Sequence, residues 1–143
     1  MDNRQRVARI ASGALAVVIA ASAFAAPVDL LGGYEQAARA SSPAFGGVSA
    51  ERGAQFFRST HGGEWSCASC HTARPVAAGQ HARTGKTIAP LAPSANAERF
   101  TDAGKVEKWF RRNCNDVLTR ACTPQEKADV IAFLLSLRSE EPR

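Results

Sequence analysis

The chain has 143 residues, 45% of them hydrophobic, with four cysteines, one methionine and a net charge of +5. That length is one domain by the usual size rule. The first 25 residues hold three arginines and one aspartate, so the remaining 118 carry only +3, and no basic patch is interleaved with aromatics; nucleic-acid binding is excluded.

Residues 1–25 read as a secretory signal peptide. Arg4, Arg6 and Arg9 form a basic start, Ile10 to Ala21 is apolar, and Ala23-Phe24-Ala25 is a small-x-small cleavage site. An uncleaved anchor is the alternative, but the apolar run is shorter than the ~20 residues that span a bilayer. No arginine pair stands near the start, which favours general secretion. The expected location is the periplasm, with residues 26–143 as the folded domain.

Val28 to Ala40 predicts a first helix, weakened by Gly32-Gly33. Ser41 to Gly47 is a linker. Ser49 can cap a helix from Ala50 to about Ser59, on which Gly53 and Phe57 share a face.

Cys67-Ala68-Ser69-Cys70-His71 follows a polar loop. C-x-x-C-H is the attachment motif for c-type haem. The two thiols add across the haem vinyl groups, and the adjacent His71 is held under the iron. A zinc site would want a second closely spaced ligand pair, whereas Cys114 and Cys122 lie eight apart. A thioredoxin-like site would want a βαβ pattern, which is lacking. Such haem is attached outside the cytoplasm, in keeping with an export signal.

Thr72 to Ser94 shows no period and is punctuated by Pro75, Gly79, Gly85, Pro90 and Pro93. So long a loop needs an organiser, and wrapping a haem edge would serve. Thr101 or Asp102 can cap a helix from Ala103 to about Cys114. Val106, Trp109 and Phe110 form its apolar stripe, which places Asn113 at the next position of the same face. Trp109 and Phe110 either wall the haem's distal side or fill the core. Asn113 is either a helix C-cap or a buried amide in need of a partner. Thr123, Pro124 and Glu126 start the last helix with a capping box, and Val130, Ile131, Phe133, Leu134 and Leu137 form its buried side. No stretch reads as a strand, so the fold class is all-α. With two cysteines given to haem, Cys114 and Cys122 are expected to form a disulfide; two free thiols are the alternative.

The order Gly53-x-x-x-Phe57, C-x-x-C-H, then a final helix with Phe133 resembles the class I cytochrome c fold, with one covalently attached haem. The resemblance implies a close crossing of the first and last of these helices at a small residue. It also offers Pro90 as a carbonyl partner for His71, or as a simple loop stiffener. That family's usual sixth ligand is a methionine, yet the single methionine here is Met1. His61 and His81 remain as loop candidates, with Lys105 and Lys108 behind them.

Arg83-Thr84-Gly85-Lys86, Ile88-Ala89-Pro90-Leu91-Ala92-Pro93-Ser94, Arg99-Phe100-Thr101-Asp102, Val106-Glu107-Lys108-Trp109, Arg112-Asn113-Cys114-Asn115 and Cys122-Thr123-Pro124 resemble the sphaeroides haem protein family. So does Gly33-Tyr34-Glu35. The resemblance covers most of the chain after residue 25. It implies a high-spin c-type cytochrome that binds oxygen and nitric oxide, with Asn113 as distal iron ligand beside a Cys114–Cys122 disulfide. It further implies electrons from a dihaem cytochrome c and a membrane cytochrome b, and a possible oxidoreductase activity on O2 or NO. Carbon monoxide would bind the same site. Two rivals are a low-spin electron carrier with a histidine sixth ligand and a haem peroxidase using Arg111 or Arg112.

Overall fold

The computed structural model describes residues 27–139. The expected signal peptide, residues 1–25, lies outside them. The order is α1 (Pro27–Ser41), α2 (Ala50–Arg58), α3 (Cys67–His71), β1 (Gly79–Gln80), β2 (Thr87–Ile88), α4 (Ala103–Leu118) and α5 (Pro124–Ser136). No described helix is long and apolar enough to cross a membrane.

α5 is the central element. Ala128, Val130, Ile131, Phe133 and Leu134 are all buried, on more than one face, so the helix has neighbours on several sides. Its start is pinned as expected. Thr123 accepts the Glu126 N–H, and the Glu126 carboxylate accepts the Thr123 N–H at 2.7 Å. α2 lies against α5. A Cβ on Gly53 would overlap the backbone carbonyl of Asp129, so only glycine permits this approach. Phe57 then stacks on Phe133 with ring centroids 5.5 Å apart. α1 joins α5 with Leu30, Leu31 and Tyr34 on the core and Ala38 fully inside. Gly32 and Gly33 do not break α1, and both point into open space.

A buried carboxylate fastens α2 to α5. Asp129 is 4% exposed, within an otherwise apolar run. It accepts the Ser49 N–H at 2.7 Å, Arg52 Nε at 2.9 Å and Gln125 Nε2 at 3.0 Å. Desolvating a carboxylate is costly unless its lone pairs are used, and here they are.

Three expectations need correction. The chain is predominantly helical, but not purely so. Gly79–Gln80 and Thr87–Ile88 form a short antiparallel ladder, closed by His81 N–H on the Lys86 carbonyl at 2.8 Å. Two-residue strands are too short to leave an alternation in the sequence. α4 runs to Leu118, past the expected end at Cys114, and stops where Thr119 takes φ +58°. Asn113 is therefore inside a helix and not its C-cap. Third, Trp109 is 44% exposed with the Arg112 guanidinium 5.2 Å over its ring, while Val106 and Phe110 turn to the core.

Candidate haem site

α3 is a single turn that carries the whole motif. Ser66, buried just before it, accepts the Ser69 N–H at 3.1 Å, and Ser69 Oγ accepts the Ser66 N–H at 3.0 Å. This reciprocal cap fixes the turn without any metal or ligand. Sequence reading missed it, although the Ser66-x-x-Ser69 spacing was there to be seen. The cap places Cys67 and Cys70 three apart on one face of the turn. Both are free thiols and both are half-buried. Burial pushes the Cys67 thiol up to about 11. Thr72 leaves the helix with φ +66°, and a Cβ on Gly79 would overlap the Cys70 carbonyl. The hairpin thus returns directly over the motif, with the Ala82 N–H 3.3 Å from Cys70 Sγ. It leaves an open recess of about 430 Å³ beside Cys70, bordered by Gln80 and His81. Neither His71 nor Asn113 lines that recess.

His71 is half-buried, its ring centroid 6.4 Å from that of Phe57. Burial, and then the charge of Arg99, push its pKa down to about 4. The imidazole is therefore neutral at physiological pH, as an iron ligand must be. Pro90 does not serve it. The Pro90 carbonyl accepts Arg99 Nε at 2.8 Å and Asn96 Nδ2 at 3.3 Å, and no hydrogen bond joins it to His71 among the described residues.

On α4, Asn113 is half-buried, and its amide makes no hydrogen bond with any described residue. The next residue, Cys114, is disulfide-bonded to Cys122, and both are buried. The bridge ties the last turns of α4 to the start of α5. Two elements carry the site residues to one core: Cys67 and Ala68 of α3 pack against the same cluster as Phe110 of α4.

The loop histidines have local partners. His61 Nε2 lies 2.9 Å from the Phe56 carbonyl, and its ring lies against that of Phe56 at 4.4 Å. His81 Nδ1 accepts the N–H groups of Arg83 and Thr84 at 3.3 and 3.2 Å.

These residues fit a covalent haem. Two free thiols sit on one turn, a neutral imidazole follows, and an amide that no described residue engages stands beside a rigid bridge.

Comparison with known proteins agrees. A family described as "Domain of unknown function (DUF1924)" matches residues 43–134. The chain is 52% identical over 127 residues to the cytochrome c-type protein SHP of Cereibacter sphaeroides, covering 84% of this chain and 93% of that protein. The structure of oxidised SHP, an oxygen-binding cytochrome c, matches with a TM-score of 0.68 and 51% identity, covering 78% of this chain and 97% of that one. The solution structure of cytochrome c'' from Methylophilus methylotrophus, described in terms of haem-ligand detachment, matches with a TM-score of 0.67 and 42% identity, over 78% and 93% of the two chains. The chain belongs to the family matched over residues 43–134 and to the sphaeroides haem protein group of c-type cytochromes, whose cofactor is one haem c.

Proposed function

We propose that this chain is an exported periplasmic cytochrome that binds O2 or NO at its haem after Asn113 has left the iron. Cys67 and Cys70 would carry the two thioether bonds, and His71 would be the proximal ligand. Haem c, when bound, supplies an iron that passes between ferric and ferrous states and takes small gases in the latter.

The observation that carries this reading is the place of Asn113, half-buried on α4 directly beside the Cys114–Cys122 bridge, with an amide that no described residue engages. An amide oxygen is a hard donor, suited to ferric iron and poorly suited to ferrous iron. Asn113 would therefore hold the iron of the oxidised protein and leave it on reduction. A methionine would hold the reduced state as well, and the single methionine is Met1. The haem-ligand detachment described for cytochrome c'' supports the same behaviour here. The local bonding of His61 and His81 weighs against a histidine in Asn113's place. Electrons would come from a dihaem cytochrome c and a membrane cytochrome b.

The test is the visible spectrum of the haem-loaded protein, ferric and reduced, with and without carbon monoxide. A high-spin reduced form that shifts fully with carbon monoxide is expected. A sharp low-spin reduced band indifferent to the gas would overturn the reading. Asn113→Ala should change the ferric spectrum; an unchanged one would remove Asn113 from the iron.

A further inference from the structure

Asn113 stands between two ties that hold α4 to the start of α5. Directly after it, Cys114 is bonded to Cys122, two residues ahead of α5. Six residues before it, Glu107 accepts Lys127 Nζ of α5 at 2.7 and 2.9 Å, and the Tyr34 hydroxyl of α1 at 3.0 Å. Both oxygens of the carboxylate are therefore engaged. The Lys127 side chain is only 15% exposed. An ammonium so far withdrawn from water depends on its carboxylate. Two rings close the cluster. Tyr34 meets Phe110 edge-on with centroids 5.7 Å apart, and Lys127 Nζ lies 5.6 and 5.9 Å from the two centroids.

Glu107, Phe110 and Cys114 are spaced i, i+3, i+7, which is one face of a helix. Two ties on one face fix the roll of a helix about its axis, whereas a single tie lets it turn. Asn113 is one residue from Cys114, about 100° around the helix, so it lies off the tied face. The direction in which it presents its amide is set by that roll. We propose that Tyr34 and Lys127, acting through Glu107, are positioning residues for Asn113: they fix the roll of α4 and with it the presentation of the amide to the iron. This rests on the ligand reading above. The disulfide supplies one fixed point on the face, and the Glu107 cluster supplies the second. A weak amide donor that is misaligned gives way more readily to an outside ligand.

The test is the affinity of the ferric, haem-loaded protein for added imidazole, read from the visible spectrum, since imidazole must displace Asn113. Tyr34→Phe keeps the ring on Phe110 and removes only the hydroxyl. It should raise the affinity about threefold, the scale of one hydrogen bond. Lys127→Met should raise it at least as much, and Lys127→Arg, which keeps the charge, should stay near the parent. Asp129→Asn weakens the fastening of α2 to α5 instead; it should lower stability and leave the affinity unchanged. Tyr34→Phe with the parent's affinity would overturn the assignment. So would Asp129→Asn tightening imidazole as much as Tyr34→Phe, as general loosening predicts. If Tyr34→Phe does not fold, the two Lys127 variants decide, and equal affinities in them would overturn it. Asn113→Ala separates the two readings. If it binds imidazole no more tightly than the parent, Asn113 is not on the iron and the ligand reading falls with this one. If it binds far more tightly while Tyr34→Phe matches the parent, only this inference falls.

Discussion

Arg52 forks onto Asp129 with Nε 2.9 Å from Oδ2 and Nη2 3.0 Å from Oδ1. Asp129 is buried, while the arginine side chain is 49% exposed and reaches in along the surface of α2. Nη2 also reaches the Gly47 carbonyl at 2.6 Å, so one side chain ties the linker, α2 and α5 together. Asp129→Ala would strand the Ser49 N–H and the guanidinium at once. A loss of about 3 kcal/mol is expected from the hydrogen bonds to a charged group, read by chemical denaturation. A loss well under 1 kcal/mol would mean that this cluster does not hold the helices together.

Two glycines should answer oppositely to alanine. At Gly53 the new methyl meets the Asp129 backbone, which cannot yield without moving α5. Overpacking there should cost about 3 kcal/mol. At Gly33 the methyl meets nothing within 4 Å, on an exposed turn of α1. There alanine should stabilise by about 0.5–1 kcal/mol through helix propensity. Thermal melts of the two variants decide it, and equal effects would contradict the close crossing.

The pair Cys114→Ser, Cys122→Ser removes the bridge beside Asn113. Opening so short a loop should cost about 2–3 kcal/mol. If the bridge also limits the reach of Asn113, the ferric spectrum of the double variant should show a mixture of ligand states. A spectrum identical to the parent's would confine the bridge to stability.

Glu107 sets an acid-side dependence. It accepts Lys127 Nζ at 2.7 Å and the Tyr34 hydroxyl at 3.0 Å, joining α4 to α5 and α1. Burial pushes its pKa up, but the bonds from Lys127 and Tyr34, with the charges of Lys127 and Arg111, outweigh that and carry it below the ordinary 4.5. A depressed carboxylate contributes stability above the unfolded pKa and loses it as pH falls through the folded one. Glu107→Gln should therefore be less stable than the parent at pH 7, by about 0.5 kcal/mol after screening of this half-exposed group. The gap should close as pH falls below the ordinary 4.5 and through the depressed folded pKa. A gap that stays constant down to pH 3 would show that charge is not the cause.

Much of the site was legible because its chemistry depends on short spacings. C-x-x-C-H, the Thr123–Glu126 cap and the Asn113-Cys114 neighbourhood are all local, and local patterns survive in one dimension. For Trp109 the core-filling alternative fails, because helical period gives a face but not its limits. Trp109 lies at the edge of the α4 stripe, where the core ends and Arg112 can cover it. Of the two readings of Pro90, the carbonyl partner for His71 is not the one found, because a carbonyl's partner depends on what folds back onto it, and here that is Arg99, nine residues later.

By itself the sequence determined the haem-type motif and the helix starts, since each follows from residue identity at fixed short intervals. The tertiary structure alone decided the rest. It put a charge inside an apolar helix at Asp129, satisfied from residues up to 80 positions away. It folded Gly79 over Cys70, and it brought Arg99 back onto the Pro90 carbonyl. The physical reason is common to all three. Burial and pairing are set by which distant segments exclude water together, and no short window of sequence carries that information.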